Sequence, residues 1–192
     1  ADPLKVGDDL LLGIGALQKL GRVDEIDEFR EAVIQVHGKN WRLLQTAARS
    51  YVNVEHHGFI VAGKFYRGGR RGGGRFVNSM QRDRVRALQL MDQAIPPVLA
   101  EADRTAAAEF HFQLASLLLN GVGYHPAWRL QYRTDLSKLP DYEEGYRGWG
   151  RDNRGAGVDA SGEPFYHGKP RSYDAATTDG ERWRWALARA AE

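Results

Sequence analysis

Leu10-Leu11-Leu12-Gly13-Ile14-Gly15-Ala16-Leu17, followed by Leu20-Gly21-Arg22-Val23-Asp24-Glu25-Ile26-Asp27-Glu28-Phe29, is the stretch that decides the fold. It reads as two helices joined by a tight turn. Gly21 stands between two apolar-periodic runs, where the chain needs a residue free of Cβ strain. Val23, Ile26, Phe29, Val33 and Val36 fall on one helical face, and the acids with Arg30 fall on the other. A third run, Trp41, Leu44, Ala48 and Tyr51, repeats the helical spacing, with Asn40 placed as its N-cap. Trp41 lies where a new tetratricopeptide unit of ~34 residues would begin.

Working outward, the spacing predicts helices over about 4–20, 23–37 and 40–54. A long irregular connection is expected over 55–78. A fourth helix carries Val85, Leu88, Met91 and Ile95 on one face, with Arg82, Arg84 and Arg86 off it. It must bend or stop at Pro96-Pro97, because proline cannot donate to the helical ladder. A fifth runs from the N-cap Asp103 to Leu119, with Ala107, Phe110, Leu114 and Leu118 inward. Asn120-Gly121 ends it. Beyond residue 121 the helical periodicity vanishes and aromatics become frequent. A small hairpin is expected over Val158 to Tyr166, where a turn-forming centre has apolar flanks. A last helix is expected over 181–191, with Trp183, Leu187 and Ala191 on one face. The fold class is therefore all-α: a tetratricopeptide-like body of antiparallel helical hairpins over 1–121, then an irregular aromatic extension over 122–192 packed on that body.

The chain has 192 residues, 42% hydrophobic and 27% charged, with a formal net charge of +2. These values describe an ordinary globular chain, not a strong polyanion binder as a whole. Cysteine is absent, which removes disulfide staples, thiol catalysis and cysteine-based metal sites. No apolar run approaches the ~20 residues of a membrane-spanning helix. Ala1-Asp2-Pro3 reads either as a processed export end or as an artificial boundary. A last helix running to the final residue implies that the natural chain continues.

Of the polar motifs, the sharpest is Lys64-Phe65-Tyr66-Arg67-Gly68-Gly69-Arg70-Arg71-Gly72-Gly73-Gly74-Arg75-Phe76. Arginine and aromatics interleaved with glycine resemble polyanion-binding segments. Arg67, Arg70, Arg71 and Arg75 are the candidate binding residues, and a solvated surface loop over 62–76 is the simpler reading. Gly63-Lys64 lacks the spacing of a Walker loop. His56-His57 beside Glu55 cannot chelate well, since adjacent side chains point apart, so no metal site is expected. Asp135, Asp141, Glu143 and Glu144 are carboxylates with no nucleophile or metal ligand beside them in sequence. Neither a catalytic site nor a cofactor site is expected. The aromatics Trp128, Tyr132, Tyr142, Tyr146, Trp149, Phe165, Tyr166, Trp183 and Trp185 read as anchors that pin irregular backbone onto a helical body.

Lys5-Val6-Gly7-Asp8-Asp9-Leu10 with Leu20-Gly21-Arg22-Val23-Asp24-Glu25 forms one stretch of a wider pattern. The second runs from Trp128-Arg129-Leu130-Gln131-Tyr132, through Asp135-Leu136-Ser137-Lys138-Leu139-Pro140-Asp141-Tyr142, to Asp179-Gly180-Glu181-Arg182-Trp183-Arg184-Trp185. Together they resemble the N-terminal region of very large exported alpha-2-macroglobulin-like proteins of planctomycete-type bacteria. The resemblance covers nearly all of this chain and only a small front part of such a protein. It implies export and a non-catalytic scaffold or protein-interaction role in a protease-trapping or surface molecule. The family's thioester motif needs cysteine and is not in this chain, so no functional residue carries over. Two other readings stay open: a self-assembling surface or filament subunit, and a polyanion-binding module.

Overall fold

The computed structural model describes residues 2, 4–69, 73–120, 130–144, 161 and 168–192. Helix dominates, and a small antiparallel sheet is present that the sequence reading did not anticipate. In chain order the described elements are α1 (Val6–Lys19), a 3₁₀ turn (Val23–Glu25), α2 (Ile26–His37), α3 (Trp41–Val52), β1 (His57–Val61), β2 (Lys64–Arg67), β3 (Arg75–Asn78), α4 (Met80–Leu99), α5 (Arg104–Leu119), β4 (Glu143–Glu144) and α6 (Asp179–Ala190). The chain divides into two compact units, not at residue 121 but after Pro97. The first is Ala1–Pro97 with Lys138–Gly148, and the second is Val98–Ser137 with Trp149–Glu192.

In the first unit, α1, α2 and α3 pack on one another. Asn40 caps α3, its side chain accepting from the amides of Arg42 and Leu43 at 3.1 and 3.4 Å. Val6, Leu10, Ile14, Ile26, Leu43 and Leu44 are buried, as are Val85, Leu88, Met91 and Ile95 of α4. Two expectations for α2 fail. Val36 is 74% exposed, and Arg30, placed with the acids on the outer face, is completely buried. Its guanidinium lies 3.8 Å over the Tyr51 ring, donates to the Ser50 carbonyl and reaches the partly exposed Asp27. A cation can occupy a core face when its charge is met there, and here Asp27 and the Tyr51 ring meet it, although Nε is buried with no hydrogen-bond partner. Phe29, expected in the core, is only partly buried.

The segment expected to be an irregular connection is three strands. The sheet order is β2-β1-β3-β4, antiparallel throughout. Val61 pairs with Lys64 around the two-residue loop Ala62-Gly63, whose φ values are +50° and +81°. Two left-handed residues in a two-residue loop are what a type I′ hairpin requires. Phe59, Ile60, Val61, Phe65 and Tyr66 are β-branched or aromatic residues that favour strands. The arginine-glycine composition masked that signal. α4 does not stop at Pro96-Pro97 but runs on to Leu99. Proline has no N–H to give that stretch of the helical ladder.

In the second unit, Asp103 caps α5 by accepting from the Ala106 amide at 3.1 Å, and α6 packs on α5. Thr178 caps α6. The face α6 buries carries Trp185, Ala186 and Arg182, whereas Trp183 is only partly covered, so the expected face is rotated. Asp179, completely buried, accepts from the Thr134 amide and hydroxyl and from Arg182, tying 130–137 to α6. The hairpin expected over 158–166 lies outside the described residues, Ser161 apart.

Candidate functional site

The arginine-glycine motif leads to the one place in the first unit where charge is concentrated below the surface. β2 presents Phe65 and Arg67 on the same face, two residues apart. Opposite Arg67 on β1 stands Gly58. A Cβ there would sit 2.3 Å from the Tyr66 carbonyl oxygen and 2.6 Å from the Phe65 ring. The missing side chain lets Phe65 lie across β1.

Arg67 is 3% exposed. Nε donates to both oxygens of Asp27 at 3.1 Å, and Nη2 bridges Asp27 at 3.0 Å and Asp83 at 2.9 Å. Nη1 reaches Asp83 and the Ser79 hydroxyl at 2.9 and 3.1 Å, and the Glu55 carbonyl at 2.5 Å. Asp83 also accepts from the Ser79 hydroxyl and from His56 Nδ1, each at 2.7 Å. Burial alone would push the Asp83 carboxyl up. Hydrogen bonds from His56, Arg67 and Ser79, with the Arg67 charge, outweigh it and hold the group below its usual range. Burial works against the Arg67 cation, and the two carboxylates more than restore it.

Serine, histidine and aspartate thus meet at one point, but not in the order of a hydrolase triad. There the imidazole stands between hydroxyl and carboxylate and takes the hydroxyl proton. Here the carboxylate stands in the middle, and the Ser79 hydroxyl is shared among Asp83, Arg67 and the His56 carbonyl. The cluster neutralises buried charge and anchors the first turn of α4, whose Asp83 amide bonds the Ser79 carbonyl at 2.7 Å.

Beside this cluster opens a cleft of about 320 Å³, lined by Asp27, Glu31, Tyr51, Phe65, Arg67, Arg82, Asp83, Arg86, Leu139 and Tyr142. Asp27 and Glu31 share a face of α2 at i, i+4, and Arg82 and Arg86 share one of α4. Glu31 holds Arg86 in a two-bond pair at 2.8 and 2.7 Å and accepts from the Tyr51 hydroxyl. Burial tends to raise the Glu31 carboxyl, and these donors bring it below its usual range. Burial and the Glu31 charge push the Tyr51 hydroxyl well up, so it stays protonated. Leu139 and Tyr142 arrive from the segment before β4, which Val77↔Glu144 and Asn78↔Glu143 pairing fixes to β3. Tyr142 stacks on Phe65, centroids 4.6 Å apart and planes 22° off parallel.

The four arginines chosen from sequence do not form one described site. Arg67 is walled in by its carboxylates and is not available to a polyanion, which corrects that expectation. Arg75 is 54% exposed on β3 and pairs with Glu144 at 2.9 Å. Arg70 and Arg71 lie outside the described residues. His57 stacks on Phe76 while His56 binds Asp83, so the two imidazoles serve different neighbours. Among the described residues no group of three or more His, Asp or Glu side chains is arranged to hold a metal ion. No described helix is long and apolar enough to cross a membrane. Sequence reasoning missed Asp27, Glu31, Arg82, Asp83 and Arg86. Their only local signal was i, i+4 spacing, which solvated helix faces share. In comparison with known proteins, no family model, no curated protein and no solved structure matches the chain.

Proposed function

We propose that this chain is a non-catalytic protein-interaction region of a larger exported macroglobulin-like protein, built as tetratricopeptide-like helical hairpins. One observation carries the reading. α1 carries exposed leucines outside its buried face, beside the exposed Asp8, Asp9, Gln18 and Lys19. Its inner face buries Val6, Leu10 and Ile14, while Leu4, just ahead of the helix, and Leu11 and Leu12 on its far side are 66%, 47% and 72% exposed. A terminal or solvated helix carries polar residues on its outer face. Exposed leucines outside the buried stripe suit a second protein contact on that side, with the charged residues at its rim. Leu20, 67% exposed at the C-cap, extends the same apolar character. The paired charges of the Arg67 cluster support a scaffold role, because each is committed to its neighbours.

The test is Leu11→Glu combined with Leu12→Glu. Both side chains are exposed, so the thermal midpoint of the isolated region should change little. In the longer protein, the double variant should lose the contact that covers α1, read as a change in sedimentation coefficient or in protease resistance of this region. Unchanged sedimentation and unchanged protease resistance would contradict the proposal.

A further inference from the structure

Every carboxylate lining the cleft meets a guanidinium. Asp83 and Asp27 share Arg67, Asp27 also takes Arg30, and Glu31 holds Arg86. Arg82 differs. Its Nη1 donates to the neutral Pro140 carbonyl at 2.8 Å, and its guanidinium carbon lies 4.8 Å over the Tyr142 ring. Among the described residues no carboxylate pairs with Arg82, and its Nε and Nη2 have no acceptor. The Tyr142 hydroxyl likewise makes no hydrogen bond among the described residues. Arg82 is therefore the one lining guanidinium without a carboxylate among the described residues, with a free Nε–Nη2 edge beside the stacked Tyr142–Phe65 pair.

We propose that the cleft binds a monocarboxylate carried on a flat apolar body: Arg82 takes the carboxylate, and the Tyr142–Phe65 pair takes the body. A guanidinium fork matches a carboxylate in two parallel hydrogen bonds. With Arg67 and Arg86 engaged by the lining carboxylates, the single guanidinium left, Arg82, suits one negative charge. Inorganic phosphate, closer to a dianion, would meet Asp27, Glu31 and Asp83 with a single free cation to offset them. The volume, about 320 Å³, lies at the small end of the range for small-molecule sites, ~300–1,000 Å³. It fits one ring and its carboxylate. Two sources supply this chemistry, a free aromatic acid or the C-terminal carboxylate of a peptide ending in an aromatic residue. The inference stands apart from the α1 surface and does not depend on it.

The experiment follows the Arg82 Nε–Hε and Tyr142 ring signals of the isotope-labelled chain by NMR, at fixed ionic strength. Benzoate, acetate, benzamide, phosphate, and a tripeptide ending in Phe as free acid or amide are titrated in turn. Benzoate should give a saturable shift of both signals, and acetate should bind at least about tenfold more weakly, since it lacks the ring. Benzamide, phosphate and the peptide amide should give none. Tighter binding by the peptide acid than by benzoate assigns the site to a chain terminus, and the reverse assigns it to a free acid. Arg82→Lys keeps the charge and loses the fork, and should weaken benzoate by about tenfold. Tyr142→Leu leaves Arg82 in place and should remove the preference for benzoate over acetate. The proposal is overturned if neither acid shifts these signals saturably, if phosphate matches benzoate, or if Arg82→Lys binds benzoate as the wild type does.

Discussion

Replacing Arg67 with Gln strips the buried Asp83 of its cation, leaves the partly exposed Asp27 with Arg30 alone, and should destabilise the fold by about 3–5 kcal/mol in urea melts. Its side chain is 2% exposed and that of Asp83 4%. Arg75→Gln, at a pair whose side chains are 54% and 76% exposed, should change stability by less than about 1 kcal/mol. Equal effects of the two changes would contradict the burial assigned to Arg67. The two arginines look alike in sequence. What separates them is burial: Arg67 is enclosed by Asp27 and Asp83, 40 and 16 residues away, whereas the Arg75 partner, Glu144, leaves it in solvent, and no local pattern encodes that difference. Arg30 misleads in the same way, since a charged residue inside an apolar stripe is normally read as solvated. His111 gives a pH test at this scale. Its Nδ1 bonds the Ala107 carbonyl at 2.7 Å, Nε2 is buried with no partner, and burial pushes the imidazole below its ordinary 6.5. The unfolded chain therefore takes up the proton first as pH falls. Stability from this group is present above 6.5 and is lost as pH drops below it. His111→Leu should flatten the stability profile in that window and leave the Asp83-dependent loss at lower pH. That second loss follows from the depressed carboxyl, whose contribution disappears as pH falls below its ordinary 3.8. A His111→Leu profile that keeps the wild-type slope between about pH 7 and 5.5 would contradict the assignment.

Helices were legible from their periodicity and caps. Asn40 and Asp103 stand where their side chains satisfy first-turn amides, so local chemistry fixed those boundaries. The strands were not legible, because β1, β2 and β3 have 5, 4 and 4 residues. Runs that short carry too few alternations to outweigh the glycine and arginine around them. The loop Ala62-Gly63 is the clearest missed signal: Ala62 is the only described non-glycine residue with positive φ. Asparagine tolerates that conformation better than alanine. Ala62→Asn should therefore raise stability by up to about 1 kcal/mol in a denaturant melt, and a loss would argue against the type I′ turn. Gly58→Ala should act in the opposite direction. Its new methyl meets the Tyr66 carbonyl, which cannot move without breaking the β1–β2 ladder. Loss of the ring contacts between Phe65 and Tyr142, read by NMR, should accompany the drop in stability.

Across the whole chain, the sequence reading drew one boundary where composition changes, at residue 121. Contacts place it at Pro97 and return Lys138–Gly148 to the first unit. Composition did not reveal this, because β4 is two residues long and its partner β3 lies more than 60 residues earlier. The cleft residues share that history. Their positions on helices followed from spacing, and their convergence depended on strand pairings that spacing does not encode. The α1 face is different, since Leu10, Leu11 and Leu12 in a row cannot all point inward on a helix. That the outer leucines are covered by protein is the central claim. The chain has no cysteine, so Leu12→Cys offers a single attachment point for a photoactivatable cross-linker. If the chain is the proposed part of a larger protein, irradiation of that protein should join residue 12 to a defined protein segment, either elsewhere in the same molecule or in a neighbouring copy, identified by mass spectrometry. A probe that reacts only with water there, as it does in the isolated region, would contradict the account.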